Sequence, residues 1–167
     1  MQKILDCQED RITVIPHGID PEGFPDDPPD LVARRSSRGD RRVIGYLARA
    51  CPEKGLDQVI QATARLVERG MNVELVAAGA TIAAEEDYLS SCHALAQEVG
   101  IADRFFWRGQ IDRSEKINLL KEIDVFAMPT PVPEAKGIPV IEAMAAGVPV
   151  VASASGAFPE LLGIHET

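Results

Sequence analysis

From Val43 onward the chain repeats one pattern: a short run rich in β-branched and aromatic residues, then a segment whose apolar residues recur at helical spacing. The runs Val43–Leu47, Val73–Ala77, Arg104–Trp107, Asp124–Met128 and Pro149–Ala152 are expected as strands. Between them helices are expected near Leu56–Arg69, Glu85–Val99, Ser114–Glu122 and Pro139–Ala146, with a short last one from Pro159. Leu56, Val59, Ile60, Thr63 and the Leu66-Val67 pair follow the i, i+3, i+4, i+7 spacing of an amphipathic helix, and Gly70 supplies its stop. Such alternation gives an α/β fold, a Rossmann-like parallel sheet of five strands with helices on both faces. Right-handed crossovers leave few arrangements, of which the mononucleotide-binding order 3-2-1-4-5 is the commonest. In that order the connections leaving strands one and four go to opposite faces, so a crevice opens between their carboxyl ends. A ligand is expected there, against Ala48–Gly55 and Pro129–Gly137.

Composition narrows what that ligand is. At 167 residues the chain is long enough for one core and short for two ordinary domains. A domain of this size buries about 70% of its unfolded surface and needs no disulfide staple. A net charge of −9 argues against general nucleic-acid binding, so a phosphate ligand must be caught by a local cationic cluster. Cys7, Cys51 and Cys92 are widely separated and form no CxxC pair, which fits a reducing, cytoplasmic setting. The most apolar stretch, Gly137–Ala157, is interrupted by Glu142, prolines and glycines and falls short of a membrane span; peripheral association of a larger protein stays open. Asp6, Glu9, Asp10 and Arg11 follow Met1 too closely for a signal peptide. Pro21–Arg42, with an acidic then a basic cluster and no apolar period, is expected as a surface connection, preceded by a strand-like run Ile12–Pro16 and followed by the folded unit 43–167.

Two segments carry candidate chemistry. After the first strand, Arg49 and Lys54 flank a turn that runs into a helix; a guanidinium fork and a compact ammonium suit two linked phosphates, although an exposed basic pair on a loop reads the same in isolation. After the fourth strand, Pro139 suits the first helical position, so the amides of Gly137 and Ile138 are expected to point from the helix start toward an anion, with Gly137 open to close approach. Glu142, about one turn inside that helix, is placed to accept from two vicinal ribose hydroxyls; Glu134, on the loop, from another sugar. Both also read as solvated helix-end carboxylates, or as the acid and base of a glycosidase. His17, His93 and His165 are scattered and no HExxH occurs, so no metal is expected.

Together these stretches resemble the C-terminal, donor-binding half of the retaining glycosyltransferases of the GT-B fold, the group called family four or group one. Val14-Ile15-Pro16-His17-Gly18-Ile19-Asp20 is similar to that family's Val-Ile-Pro-Asn-Gly-Val-Asp entrance segment, so residues 1–20 are taken as coming from the interdomain linker. The Arg49 to Lys54 spacing matches its Gly-Arg-Leu…Lys-Gly turn, PTPVPEAKGIPVIEAMAAG (Pro129 to Gly147) its glutamate motif, and Gly156-Ala157-Phe158-Pro159-Glu160 its Gly-Gly-x-Pro-Glu. The resemblance implies a nucleotide-diphosphate sugar as donor and no other cofactor. It further implies that Arg49 and Lys54 hold the diphosphate, Glu142 the ribose and Glu134 the transferred sugar, that the amides of Gly137 and Ile138 assist, and that Ile111 walls the nucleobase.

Three departures stand out: His17 for the usual Asn, Ala48 before Arg49 for Gly, and Ala135-Lys136 for Gly-Phe, where Lys136 adds a cation near sugar or phosphate. The acceptor-binding N-terminal domain of that family is expected to be missing and the C-terminus truncated, so the chain alone is expected to bind donor without transferring sugar. A nucleotide-sugar epimerase on the same fold, and a noncatalytic nucleotide-binding module, are the rival readings.

Overall fold

The computed structural model describes residues 11, 13, 15, 17–25 and 39–163. Five strands form one parallel sheet: β1 (Arg42–Leu47), β2 (Val73–Ala78), β3 (Phe105–Trp107), β4 (Val125–Met128) and β5 (Val150–Ala152), in the order β3-β2-β1-β4-β5. Both the α/β class and the strand order match the expectation. Register is set by Ile44 opposite Leu75 and Val125, and by Phe126 opposite Val150.

Helices α1 (Leu56–Glu68) and α2 (Glu86–Glu98) cover one face; α3 (Arg113–Glu122), α4 (Ile138–Ala145) and the short α5 (Phe158–Leu161) cover the other. Alternating side chains of each strand feed two cores. Ile44, Tyr46, Leu75 and Ala77 meet Leu56, Val59 and Ile60 of α1. Val43, Leu47, Phe126 and Met128 meet Leu119 and Leu120 of α3 and Val140 of α4. Each fully buried aliphatic side chain of this kind contributes about 1.5–3 kcal/mol, which drives the helices onto the sheet more than intrinsic propensity does. α1 ends where Gly70 donates to Val67 O (2.8 Å) and Met71 to Leu66 O (3.1 Å), the paired closing bonds of a Schellman motif.

Element ends differ from the expectation by one residue, and three of the differences have a visible cause. Arg42 is the first residue of β1 rather than the last of the surface connection, its N–H donating to Asn72 O at 2.8 Å. Asp124 stands just before β4; its buried carboxylate accepts the Val43 N–H at 2.8 Å while its own N–H donates to Val43 O at 2.8 Å. Pro139 is the second residue of α4, because the left-handed Gly137 lets Ile138 enter the helix first. Of the strand expected at Ile12–Pro16, residues 12, 14 and 16 lie outside the described residues, and Thr13 and Ile15 carry no regular structure. Residues 26–38, with most of the charged clusters of the surface connection, also lie outside them, as does Cys7.

Candidate functional site

The exits of β1 and β4 lie side by side, and the chain brings their loops into contact. After β1, Ala48 and Ala50 donate to Ala78 O and Ala80 O (3.1 Å each), prolonging the β1–β2 pairing before a 3₁₀ turn at Pro52–Lys54. Gly55 follows with φ +71°. A Cβ at Gly55 would lie 2.3 Å from the Pro129 carbonyl oxygen, so the loop after β4 can seat against the start of α1 only because this residue has no side chain.

That seating puts Lys54 Nζ 2.5 Å from Glu134 Oε2. The other carboxylate oxygen, Oε1, faces the amides of Ala135, Lys136 and Gly137 at 3.2, 3.3 and 3.5 Å, so the anion now at the mouth of α4 is the chain's own Glu134. Burial pushes the Glu134 carboxyl up, but the Lys54 ammonium and the amides of Lys136 and Gly137 outweigh it and hold the carboxyl below its ordinary range. The backbone of Glu134 is fixed as well. Ala157 donates to its carbonyl at 2.8 Å, and a Cβ on Gly156 would come within 2.2 Å of that oxygen and 2.4 Å of its nitrogen.

Beside this pair a cavity of about 260 Å³ opens over the ends of β1 and β2. Arg49, Ile111, Ile138 and Glu142 all face it, with the small residues Ala48 and Gly79 at its floor. Glu142 is 5% exposed and bonds through Oε1 to Lys116 Nζ. Lys116 belongs to none of the motifs that the sequence carries. Its signal lies in Asp112-x-x-Glu115, a capping box in which Asp112 Oδ1 accepts the Glu115 N–H (2.8 Å) and Glu115 Oε2 accepts the Asp112 N–H (2.8 Å). The box starts α3 at Arg113, one residue earlier than expected, and turns Lys116 toward the cavity. Glu85, whose Oε1 lies 3.2 Å from Arg49 Nε, is a second partner that motif spacing does not reveal.

Of the expected site residues, Arg49, Ile111, Ile138 and Glu142 line one cavity, and Lys54 and Glu134 pair with each other where the loops after β1 and β4 meet. Two behave differently from expectation. The side chain of Lys136 lines a separate cavity of about 190 Å³ with His17, Ile141 and Glu160, and only its amide reaches Glu134. At Gly137 the space a Cβ would take is filled by Leu161 and Phe158, at 2.6 and 3.1 Å, so its missing side chain admits α5. Among the described residues there is no cluster of three metal-ligating side chains, and no helix is long and apolar enough to cross a membrane.

A doubly wound parallel sheet of this order, with cations on the first exit loop and a helix mouth on the fourth, has the architecture of one half of a GT-B fold. The chain belongs to the glycosyl transferases group 1 family, whose model matches residues 29–167. It is 36% identical over 155 residues to the GDP-mannose-dependent α-(1-6)-phosphatidylinositol monomannoside mannosyltransferase of Mycolicibacterium smegmatis, covering 87% of this chain and 39% of that protein. It is likewise 36% identical over 156 residues to the D-inositol 3-phosphate glycosyltransferase of Stackebrandtia nassauensis, covering 88% and 34%. The Anabaena protein HepE, crystallised with UDP and glucose, superposes with a TM-score of 0.76 at 28% identity, covering 92% of this chain and 41% of that one. The chain thus spans 34–41% of the length of these relatives.

Proposed function

We propose that this chain is the donor-binding portion of an enzyme that transfers a sugar, with retention of anomeric configuration, from a nucleotide-diphosphate sugar to an acceptor. The observation that carries the reading is the Lys54–Glu134 contact, which joins the exit loops of β1 and β4 beside a cavity faced by Arg49 and Glu142. HepE has been crystallised with UDP-glucose, and the Mycolicibacterium relative is named as GDP-mannose-dependent, so a nucleotide sugar is the ligand class that both point to.

In this reading Arg49 and Lys54 grip the diphosphate, and their charge stabilises it as it leaves. Glu142, its second oxygen free of the Lys116 bond, accepts from the ribose hydroxyls. Glu134 turns from Lys54 toward the hydroxyls of the sugar as the diphosphate takes over the ammonium. Ile138 and Gly137 offer backbone amides, Ile111 packs against the base, and Lys136 lies outside the donor crevice. The chemistry is positioning and electrostatics, with no cofactor or metal required by the residues present. Residues 1–20 act as the entrance from an acceptor-binding domain, residues 21–42 as a surface connection and 43–167 as the donor domain. Without the acceptor-binding half the chain binds donor and does not transfer sugar, and the working compartment of the whole enzyme is the cytoplasm.

Calorimetric titration with UDP, GDP and ADP tests this. One of them is expected to bind, and Arg49→Ala or Lys54→Ala to weaken it roughly 10- to 100-fold, the loss of a charge-assisted contact. A folded sample that binds none of the three would sink the reading.

A further inference from the structure

Arg49 is held by a carboxylate that belongs to none of the motifs. Its Nε lies 3.2 Å from Oε1 of Glu85; the Glu85 side chain is 11% exposed and that of Arg49 48%. The second oxygen of Glu85, Oε2, is fully buried and has no hydrogen-bond partner among the described residues. A carboxylate buried in this way costs stability unless something uses it, and the group it meets is the Arg49 guanidinium.

Glu85 is rigidly mounted. It closes the 3₁₀ turn Ala83–Glu85 and stands immediately before α2. α2 packs through Cys92 and Ala96 into the core that holds α1. The Tyr88 hydroxyl donates to Asp57 Oδ1 at 2.6 Å and accepts the Asp57 N–H at 3.2 Å, which bolts the first turn of α2 to the first turn of α1, just beyond Lys54 and Gly55. On the other side the Ala50 N–H to Ala80 O bond ties the loop that carries Arg49 to the exit of β2.

A guanidinium presents two donor edges: Nε with one terminal nitrogen, and the two terminal nitrogens together. A carboxylate paired with Nε draws that edge of the group toward itself and leaves the outer edge for a second anion. We propose that Glu85 is a positioning residue for Arg49, holding the guanidinium by Nε so that its terminal nitrogens face the diphosphate of the bound nucleotide. This rests on the donor-binding reading above. A carboxylate that merely filled the diphosphate's place would act in the opposite sense, since removing it would free Arg49 and relieve repulsion of the incoming anion.

The sign of the effect separates the two. UDP, GDP and ADP, and the corresponding nucleosides, are titrated into the wild type, Glu85→Ala, Glu85→Gln, Glu85→Asp, Arg49→Ala and Arg49→Ala/Glu85→Ala. Glu85→Ala is expected to weaken whichever diphosphate the wild type binds by roughly ten-fold, and to leave affinity for its nucleoside within about twofold. Glu85→Gln keeps an acceptor at the same reach and is expected to restore most of the loss. In the Arg49→Ala background, removal of Glu85 is expected to add nothing. Glu85→Asp retains the charge but withdraws it by one methylene, and is expected to lose diphosphate affinity in a position that is not emptied. Diphosphate binding that is unchanged or tighter in Glu85→Ala, or equal losses for nucleoside and diphosphate, overturns the assignment while the donor reading stands. A wild type that binds no diphosphate overturns both.

Discussion

Two cavities flank the seam between β1 and β4, and they differ in kind. The larger, about 460 Å³, lies between α1 and the sheet, lined by Ile44, Val59, Leu66, Val125, Ala127 and Val151, with Gln58, Gln61 and Arg65 at its margin. The smaller, about 260 Å³, lies across the sheet at the strand ends and is faced by Arg49, Lys116 and Glu142. Volume alone would choose the first. Among the described residues, helices α1 and α2 leave the β4–β5 half of that face uncovered, and Val151 is 61% exposed there. The second is built from loops that meet at glycine contacts and carry paired charges. A ligand site is marked by convergent polar groups at a topological switch point, and only the smaller cavity has them.

The sharpest way to break that contrast is to disturb the glycine contacts. Gly156→Ala places a methyl against the Glu134 backbone at a distance no Cβ tolerates, and φ +64° adds left-handed strain. It is expected to cost about 1–3 kcal/mol, lowering the melting temperature by roughly 2–4 °C per kcal/mol for a domain of this length. Loss of nucleotide-sugar affinity beyond that of the bare nucleotide would show that Glu134 has moved. A melting curve unchanged from wild type would mean that the loop is not held as described.

Acid titration gives a smaller effect. The Glu134 carboxyl lies below its ordinary range in the folded state, so its pairing with Lys54 contributes stability that is fully present above the unfolded glutamate value of about 4.3 and is lost as pH falls through the lower folded value. Carbon-13 NMR of the side-chain carboxyl is expected to follow this, and Lys54→Ala to move the Glu134 midpoint upward. A midpoint indifferent to Lys54 would separate the pair.

The least expected change is at the larger cavity. Val151→Ser should leave nucleotide affinity as it is and alter stability by no more than about 0.5 kcal/mol, because the side chain is already exposed. A marked loss of nucleotide binding would erase the distinction between the two regions.

The sequence by itself determined the sheet, since Leu56, Val59 and Ile60 at helical spacing and the runs Val43–Leu47 and Val73–Ala77 record local period, and period fixes which face of each element seeks the core. It also placed Arg49 and Lys54 after the first strand, and Glu134 on the loop and Glu142 in the helix after the fourth, because strand order dictates where those segments emerge. It did not single out Glu85 or Lys116, which pair with Arg49 and Glu142 from the second and third crossovers, Glu85 with no motif around it and Lys116 with only the capping box that starts its helix. Nor did it distinguish Lys136, beside Glu134 in the chain, from the residues that face the crevice. Side-chain direction and long-range pairing depend on how loops from four strands are packed against each other, as where the Pro129 carbonyl meets Gly55, and only the tertiary structure decided that.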